Sequence, residues 1–224
     1  MSEPIRIEVW SDVACPWCFI GKRRLEEGAE RFANEHPGSE IEVVYRSFEL
    51  SPDTPEDFAG TREEYLGGKH KGGSPERAAE MRAQMTAVAA SLGLDYRMDD
   101  VKHRNTVRAH RLLQFARAEG RQLELVELLF SAQFERGLDL SDRDVLADLA
   151  EQAGLDRGKA ADVLAGEQFL AEVREDEALA GRLGIGGVPF YVIDGRYGLS
   201  GAQAPDVFAG ALERVAAERA QETV

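Results

Sequence analysis

Two cysteines, three apart, stand directly after a strand pattern and directly before a helical one. No other feature constrains the chain as much. Ile5-Arg6-Ile7-Glu8-Val9-Trp10 alternates apolar and polar residues, the period of a strand with one buried face. Strand-breaking residues follow, then Asp12-Val13-Ala14-Cys15-Pro16-Trp17-Cys18. Beyond them, Phe19, Ile20, Leu25, Ala29 and Phe32 keep the spacing of a packed helix. A proline suits the first helical turn, where its missing N–H costs nothing. Pro16 therefore predicts that Cys15 sits at the helix N-terminus, where unsatisfied N–H groups and the helix dipole favour a thiolate. Cys18, one turn further in, is within reach of a mixed disulfide formed at Cys15.

The chain holds only these 2 cysteines in 224 residues. At this spacing they admit three readings: a redox dithiol, half of a zinc site, or two unrelated thiols. Zinc needs two further ligands, which must come from His36, His70, His103, His110 or carboxylates, and no two of the histidines have H-x(3–5)-H spacing. The redox reading fits the flanking pattern best. Composition narrows the rest. A net charge of −14 and a pI near 4.8 disfavour a general nucleic-acid binder, which needs a basic face for phosphates. No apolar run approaches the ~20 residues of a membrane span, and Met1-Ser2-Glu3-Pro4-Ile5-Arg6 lacks the form of a signal peptide. A cytoplasmic location is the expectation, and the Arg-, Ala- and Gly-rich composition suits a GC-rich bacterial genome.

Glu40 to Arg46 alternates again, so a second strand completes a βαβ unit with parallel strands. Ser51-Pro52-Asp53-Thr54-Pro55 marks the exit from the sheet. From there to about Gly184 the pattern is helical. Ser74-Pro75-Glu76 opens one helix that Gly93 stops, and others span 106–120 and 123–134. Ser141 and Asp156 are expected N-caps, with Gly154 and Gly166 at the ends, and a further helix is expected from Glu167 to Leu183. Val188 to Ile193 restores strand character, Asp194-Gly195 signals a two-residue hairpin, and Pro205 to about Ala220 reads as a last helix with Val207, Phe208, Leu212 and Val215 inward. The fold class is α/β, with three stretches: 1–55, a helical block at 56–166, and 167–224. The first and last are too small to bury cores alone and should form one discontinuous unit. Gly67-Gly68-Lys69-His70-Lys71-Gly72-Gly73 lacks the pattern of a phosphate loop and reads as a solvated loop. His103 and His110, seven apart, are expected on one helical face.

This order resembles a thioredoxin fold with a large all-helical insertion between its βαβ and ββα parts. The carrying motifs are Ser11-Asp12 with Cys15-Pro16-Trp17-Cys18, Asn105-Thr106 with Ala109-His110-Arg111-Leu112, and Gly186-Gly187-Val188-Pro189-Phe190. It is similar to the DsbA-type thiol oxidoreductases, specifically their cytosolic FrnE-like branch. The resemblance implies an enzyme that exchanges disulfides with protein or small-molecule thiols, Cys15 being the nucleophile and Cys18 the resolving thiol. It further implies a cis Val188–Pro189 bond facing the cysteines. Pro16, Trp17, Val188, Pro189, Asn105 and His110 become candidate substrate contacts, the last two in the wall of an apolar cleft. No metal or resident cofactor is implied, though glutathione is a candidate co-substrate. Monomer and homodimer both stay open. Glutathione-dependent isomerases and kappa-type glutathione transferases share the inserted architecture but use a serine where this chain has Cys15. They form the alternative class, beside a non-enzymatic redox or zinc module.

Overall fold

A computed structural model describes residues 3–60 and 75–222. The Gly67–Gly73 loop and the Ser74 cap lie outside those residues. Strand β1 (Ile5–Ser11) leads through a four-residue turn into α1 (Pro16–Glu35), which crosses over to β2 (Ile41–Ser47). Among the described residues six helices follow: α2 (Pro75–Ser91), α3 (Val107–Ala118), α4 (Gln122–Phe134), α5 (Arg143–Gln152), α6 (Arg157–Ala165) and α7 (Leu170–Arg182). The chain then forms β3 (Phe190–Ile193), β4 (Tyr197–Ser200) and α8 (Pro205–Glu222). A βαβ unit and a ββα unit thus share one sheet, with the helical block between them in the chain. The sheet order is β2-β1-β3-β4. β1 pairs parallel with β2, Ile7 opposite Val43, and antiparallel with β3, Ile7 opposite Ile193.

Alternation along β1 sorts the two faces. Ile5, Ile7 and Val9 join one large core with Phe19, Ile20, Leu25 and Phe32 of α1 and Phe208 and Leu212 of α8. Leu125, Leu129, Phe130 and Phe134 of α4 belong to the same core, so the inserted helices are packed continuously with the sheet. α1 and α8 approach so closely that a Cβ at Gly28 would stand 2.6 Å from the Pro205 carbonyl oxygen and 2.7 Å from Phe208 Cβ. Only glycine fits there. On the other face Trp10, fully buried, packs with Ala180 and Ile185. The hairpin turn has positive φ at both Asp194 (56°) and Gly195 (65°), the signature of a type I′ turn.

Several local expectations are corrected. The α5 cap is Asp142 rather than Ser141: its carboxylate accepts from the N–H of Asp144 and Val145, while Ser141 donates its hydroxyl to Asp139. The helix expected from Glu167 starts only at Leu170, because Phe169 takes a left-handed conformation (φ 63°). Val207 is exposed rather than inward. His103 precedes α3, in contact with Thr54 at 3.2 Å, so it does not share a helical face with His110.

The second face is held by a buried carboxylate. Asp176 on α7 accepts from Arg46 Nη1 at 2.7 Å, from the Ser47 N–H at 2.9 Å and from Gln114 Nε2 at 2.6 Å. Its backbone carbonyl accepts from the Trp10 indole at 3.0 Å. One residue thus joins β1, β2, α3 and α7. Removing one partner of such a buried pair typically costs about 3–5 kcal/mol. Asp176→Ala is expected to lower the urea unfolding free energy by about that much, measured by far-UV circular dichroism. A loss below about 1 kcal/mol would contradict this bridging role.

Candidate active site

The turn between β1 and α1 is organised by Asp12, which is 1% exposed. Its backbone carbonyl accepts from the Cys15 N–H at 3.0 Å, its Oδ1 from the Ala14 N–H at 3.1 Å, and its Oδ2 from the Leu50 N–H at 2.8 Å. Cys15 is thereby set as the extended N-cap residue of α1 (φ −93°, ψ 109°), with Pro16 in the first turn. Its thiol donates to the Val188 carbonyl at 3.6 Å. The Val188–Pro189 bond is cis, and the Pro189 carbonyl accepts from the Gly201 N–H at 2.8 Å, which ties this loop to the end of β4. A Cβ at Gly21 would overlap the Tyr191 hydroxyl and lie 3.2 Å from Pro189 Cγ. The missing side chain at Gly21 is what lets the second turn of α1 and the proline loop meet.

Cys18 lies deeper, under the end of β1. Burial raises its pKa well above the ordinary thiol value, and the adjacent Cys15 thiol raises it further. The Ser11 hydroxyl and the Asp12 N–H beside its sulfur oppose that shift without cancelling it. Both cysteines are free thiols here. Among the described residues no group of three or more His, Cys, Asp or Glu is arranged to hold a metal ion.

The other predicted residues divide. Val188, Pro189 and Pro16 gather at Cys15, and Trp17 projects from the same turn with 41% of its surface exposed. Trp10, by contrast, is fully buried on the other face of the sheet, bonded to the Asp176 carbonyl. Asn105 does not line a cleft wall: its Nδ2 donates to the Thr54 carbonyl at 2.7 Å and its Oδ1 accepts from the Val107 N–H at 2.9 Å, which uses the amide to seat the start of α3. His110 is not in an open wall either. It is 1% exposed and lies behind the turn, with Nε2 3.4 Å from Asp12 Oδ1. Burial alone would lower its pKa, but Asp12, with Glu49 and Glu177 further off, raises it above the usual 6.5. Burial would raise the Asp12 pKa, and His110 with the Leu50 and Ala14 N–H groups more than offsets that and holds it below 3.8.

Sequence reasoning missed two supports of the motif. Asp12 carried a signal, since an aspartate next to a helix start commonly accepts nearby N–H groups. Tyr96 carried none. It leaves the polar segment after α2, stacks on Phe134 with centroids 5.2 Å apart, and donates its hydroxyl to the Pro16 carbonyl at 2.7 Å.

The sequence model of the DSBA-like thioredoxin domain matches residues 6–213. The structure of a probable DsbA oxidoreductase from Streptomyces coelicolor superposes with a TM-score of 0.87 at 40% identity, covering 96% of this chain and 91% of that one. The 2-hydroxychromene-2-carboxylate isomerase structure shares the fold at a TM-score of 0.71 and 17% identity, over 96% and 98% of the two chains. The cytosolic disulfide reductase DsbM from Pseudomonas aeruginosa, solved with GSH, shares it at 0.63 and 20% identity, over 93% and 98%. With Cys15 at a helix N-terminus against Val188–Pro189, and with a family match across nearly its whole length, this chain belongs to the DSBA-like thioredoxin domain family.

Proposed function

We propose that this protein is a cytoplasmic thiol–disulfide oxidoreductase working through Cys15 and Cys18. The observation that carries the reading is the placement of Cys15: it caps α1 and touches the Val188 carbonyl, with Cys18 buried behind it. In the reductive direction, Cys15 as thiolate attacks a substrate disulfide, forms a mixed disulfide and releases one substrate thiolate. Cys18 then gives up its proton and attacks Cys15 Sγ. The mixed disulfide breaks, the second substrate thiolate leaves, and Cys15–Cys18 holds the two electrons' worth of oxidation. The oxidative direction is the reverse. Burial keeps Cys18 protonated in the reduced protein, so Cys15 is the better initial nucleophile.

Trp17, Pro16, Val188 and Pro189 form the surface that meets the substrate, and an extended peptide could bond to the Val188 backbone. Protein or small-molecule disulfides both suit this surface, with glutathione as co-substrate. A cytoplasmic site of action is supported by the fold shared with the cytosolic disulfide reductase DsbM, whose structure contains GSH. The fold is shared with an isomerase as well, but the second thiol has a use in disulfide exchange and none in positioning a glutathione thiolate.

Brief alkylation of the reduced protein should label Cys15 before Cys18, and Cys18→Ala should accumulate mixed disulfides that Cys15→Ala cannot form. Peptide mapping by mass spectrometry reads both, and preferential labelling of Cys18 reverses the assignment. Trp17→Ala should raise the KM for peptide disulfides roughly tenfold, equivalent to about 1.4 kcal/mol, while a small aliphatic disulfide reacts at nearly the original rate. Equal effects on both substrates would remove Trp17 from the binding surface.

A further inference from the structure

The exchange reading leaves one proton without a destination. Cys18 must lose it when it attacks the mixed disulfide, yet its hydrogen-bonding neighbours are the Cys15 thiol, the Ser11 hydroxyl and the Asp12 N–H. None is a base, and Cys15 is by then in a disulfide. Ser11 leads elsewhere. Apart from the Cys18 sulfur beside it, its buried hydroxyl has no hydrogen-bond partner, and the buried Nε2 of His110 has no neighbour of that kind but Asp12 Oδ1 at 3.4 Å. Both residues border a cavity of about 10 Å³ whose other walls include Val13, Ser47, Leu113 and Val126. That volume suits about one water, and a water needs polar partners of this kind.

Resting on the exchange reading, we propose that His110 is the proton acceptor for Cys18, reached through the Ser11 hydroxyl and a single water in this cavity. As Cys18 Sγ bonds to Cys15 Sγ, its proton passes to Ser11, the Ser11 proton passes to the water, and a water proton passes to the imidazole. The electron pair of the broken bond leaves on the substrate sulfur. In the oxidative direction the imidazolium returns the proton to Cys18.

Charges around His110 suit an acceptor. Asp12 from the β1–α1 turn, Glu49 after β2 and Glu177 on α7 face it, and each favours the imidazolium. Arg174 on α7 pairs with Glu49 at 2.6 Å and with Glu177 at 2.7 Å, which tempers both. Arg46 on β2 borders the cavity but is engaged by Glu8 and Asp176. The Asp12–His110 separation of 3.4 Å is longer than the 2.7–2.9 Å of a charge-assisted hydrogen bond, so the ring is held without being locked. His110 acts through Ser11 and touches no reacting sulfur. It is a positioning residue in that sense.

The sign of the pH effect follows. His110 must be neutral to accept, and its pKa lies above 6.5. Resolution by Cys18 should therefore accelerate as pH rises through an inflection above 6.5.

The test mixes reduced protein with 2,2′-dithiodipyridine in a stopped-flow instrument and follows thiopyridone release. The first equivalent reports attack by Cys15 and the second reports resolution by Cys18. His110→Gln should slow only the second phase, by roughly 10²-fold, the low end of what a positioned base supplies, and should abolish its inflection. Ser11→Ala should also slow the second phase alone. Equal slowing of both phases, or an unchanged second-phase pH profile in His110→Gln, overturns the proposal. Should His110→Gln not fold, the wild-type profile and Ser11→Ala decide: no inflection above 6.5, or an unslowed second phase in Ser11→Ala, overturns it equally. Absence of any first phase in the wild type would instead refute the exchange reading.

Discussion

The carboxylate of Asp12 is the point from which the active-site architecture is set. It accepts N–H groups from its own turn and from Leu50 beyond β2, and it faces His110 on α3. Three separate parts of the sequence are thereby registered against the residue that precedes α1. An acceptor in a buried turn satisfies donors that would otherwise cost about 1–3 kcal/mol each. With those bonds made, the chain enters α1 at one angle, and Cys15 arrives as its cap. The position of the thiol is a consequence of hydrogen bonds made three residues earlier, at Asp12.

The insertion is part of that construction. Tyr96 bonds the Pro16 carbonyl from the outer side of the motif, while Gln114 and Asp176 hold β2 from the opposite face of the sheet. Phe19 stacks on Phe130 of α4 with centroids 5.1 Å apart, so the first turn of α1 is packed by the inserted helices. A four-stranded sheet with α1 and α8 could supply the βαβ and ββα geometry. The rigidity of the dithiol turn comes equally from the helices inserted between them.

Much of this was legible because it is written in local patterns. The period of two along Ile5–Trp10, the proline after Cys15, and Asp194-Gly195 each specify backbone geometry over a few residues, and each element appears where those signals lie. Cap positions slipped by one to three residues where two polar residues competed, as at Ser141 and Asp142, or where a bulky residue adopted a left-handed conformation, as at Phe169. The partners of the motif were harder. Asn105 and His110 were expected as polar contacts in a cleft wall, and nothing in their own neighbourhood says that Thr54 and Asp12 come to meet them. Tyr96 is set by a contact across 80 residues, which no local period encodes.

The burial of Asp12 with His110 needs a reason, because such pairs are weak evidence for stability. Desolvating both groups costs several kcal/mol each, and well-packed apolar replacements often do as well. A hydrophobic pair at these positions could fill the space but could not accept the Leu50 and Ala14 N–H groups. A neutral acceptor such as asparagine could satisfy some of those bonds. It would not hold an adjacent imidazole ready to take a proton, which requires a fixed negative charge beside it. The pair therefore joins two demands that simpler residues meet only one at a time: placing Cys15 at the helix terminus, and providing Cys18, whose thiol burial holds in the protonated form, with somewhere to send its proton.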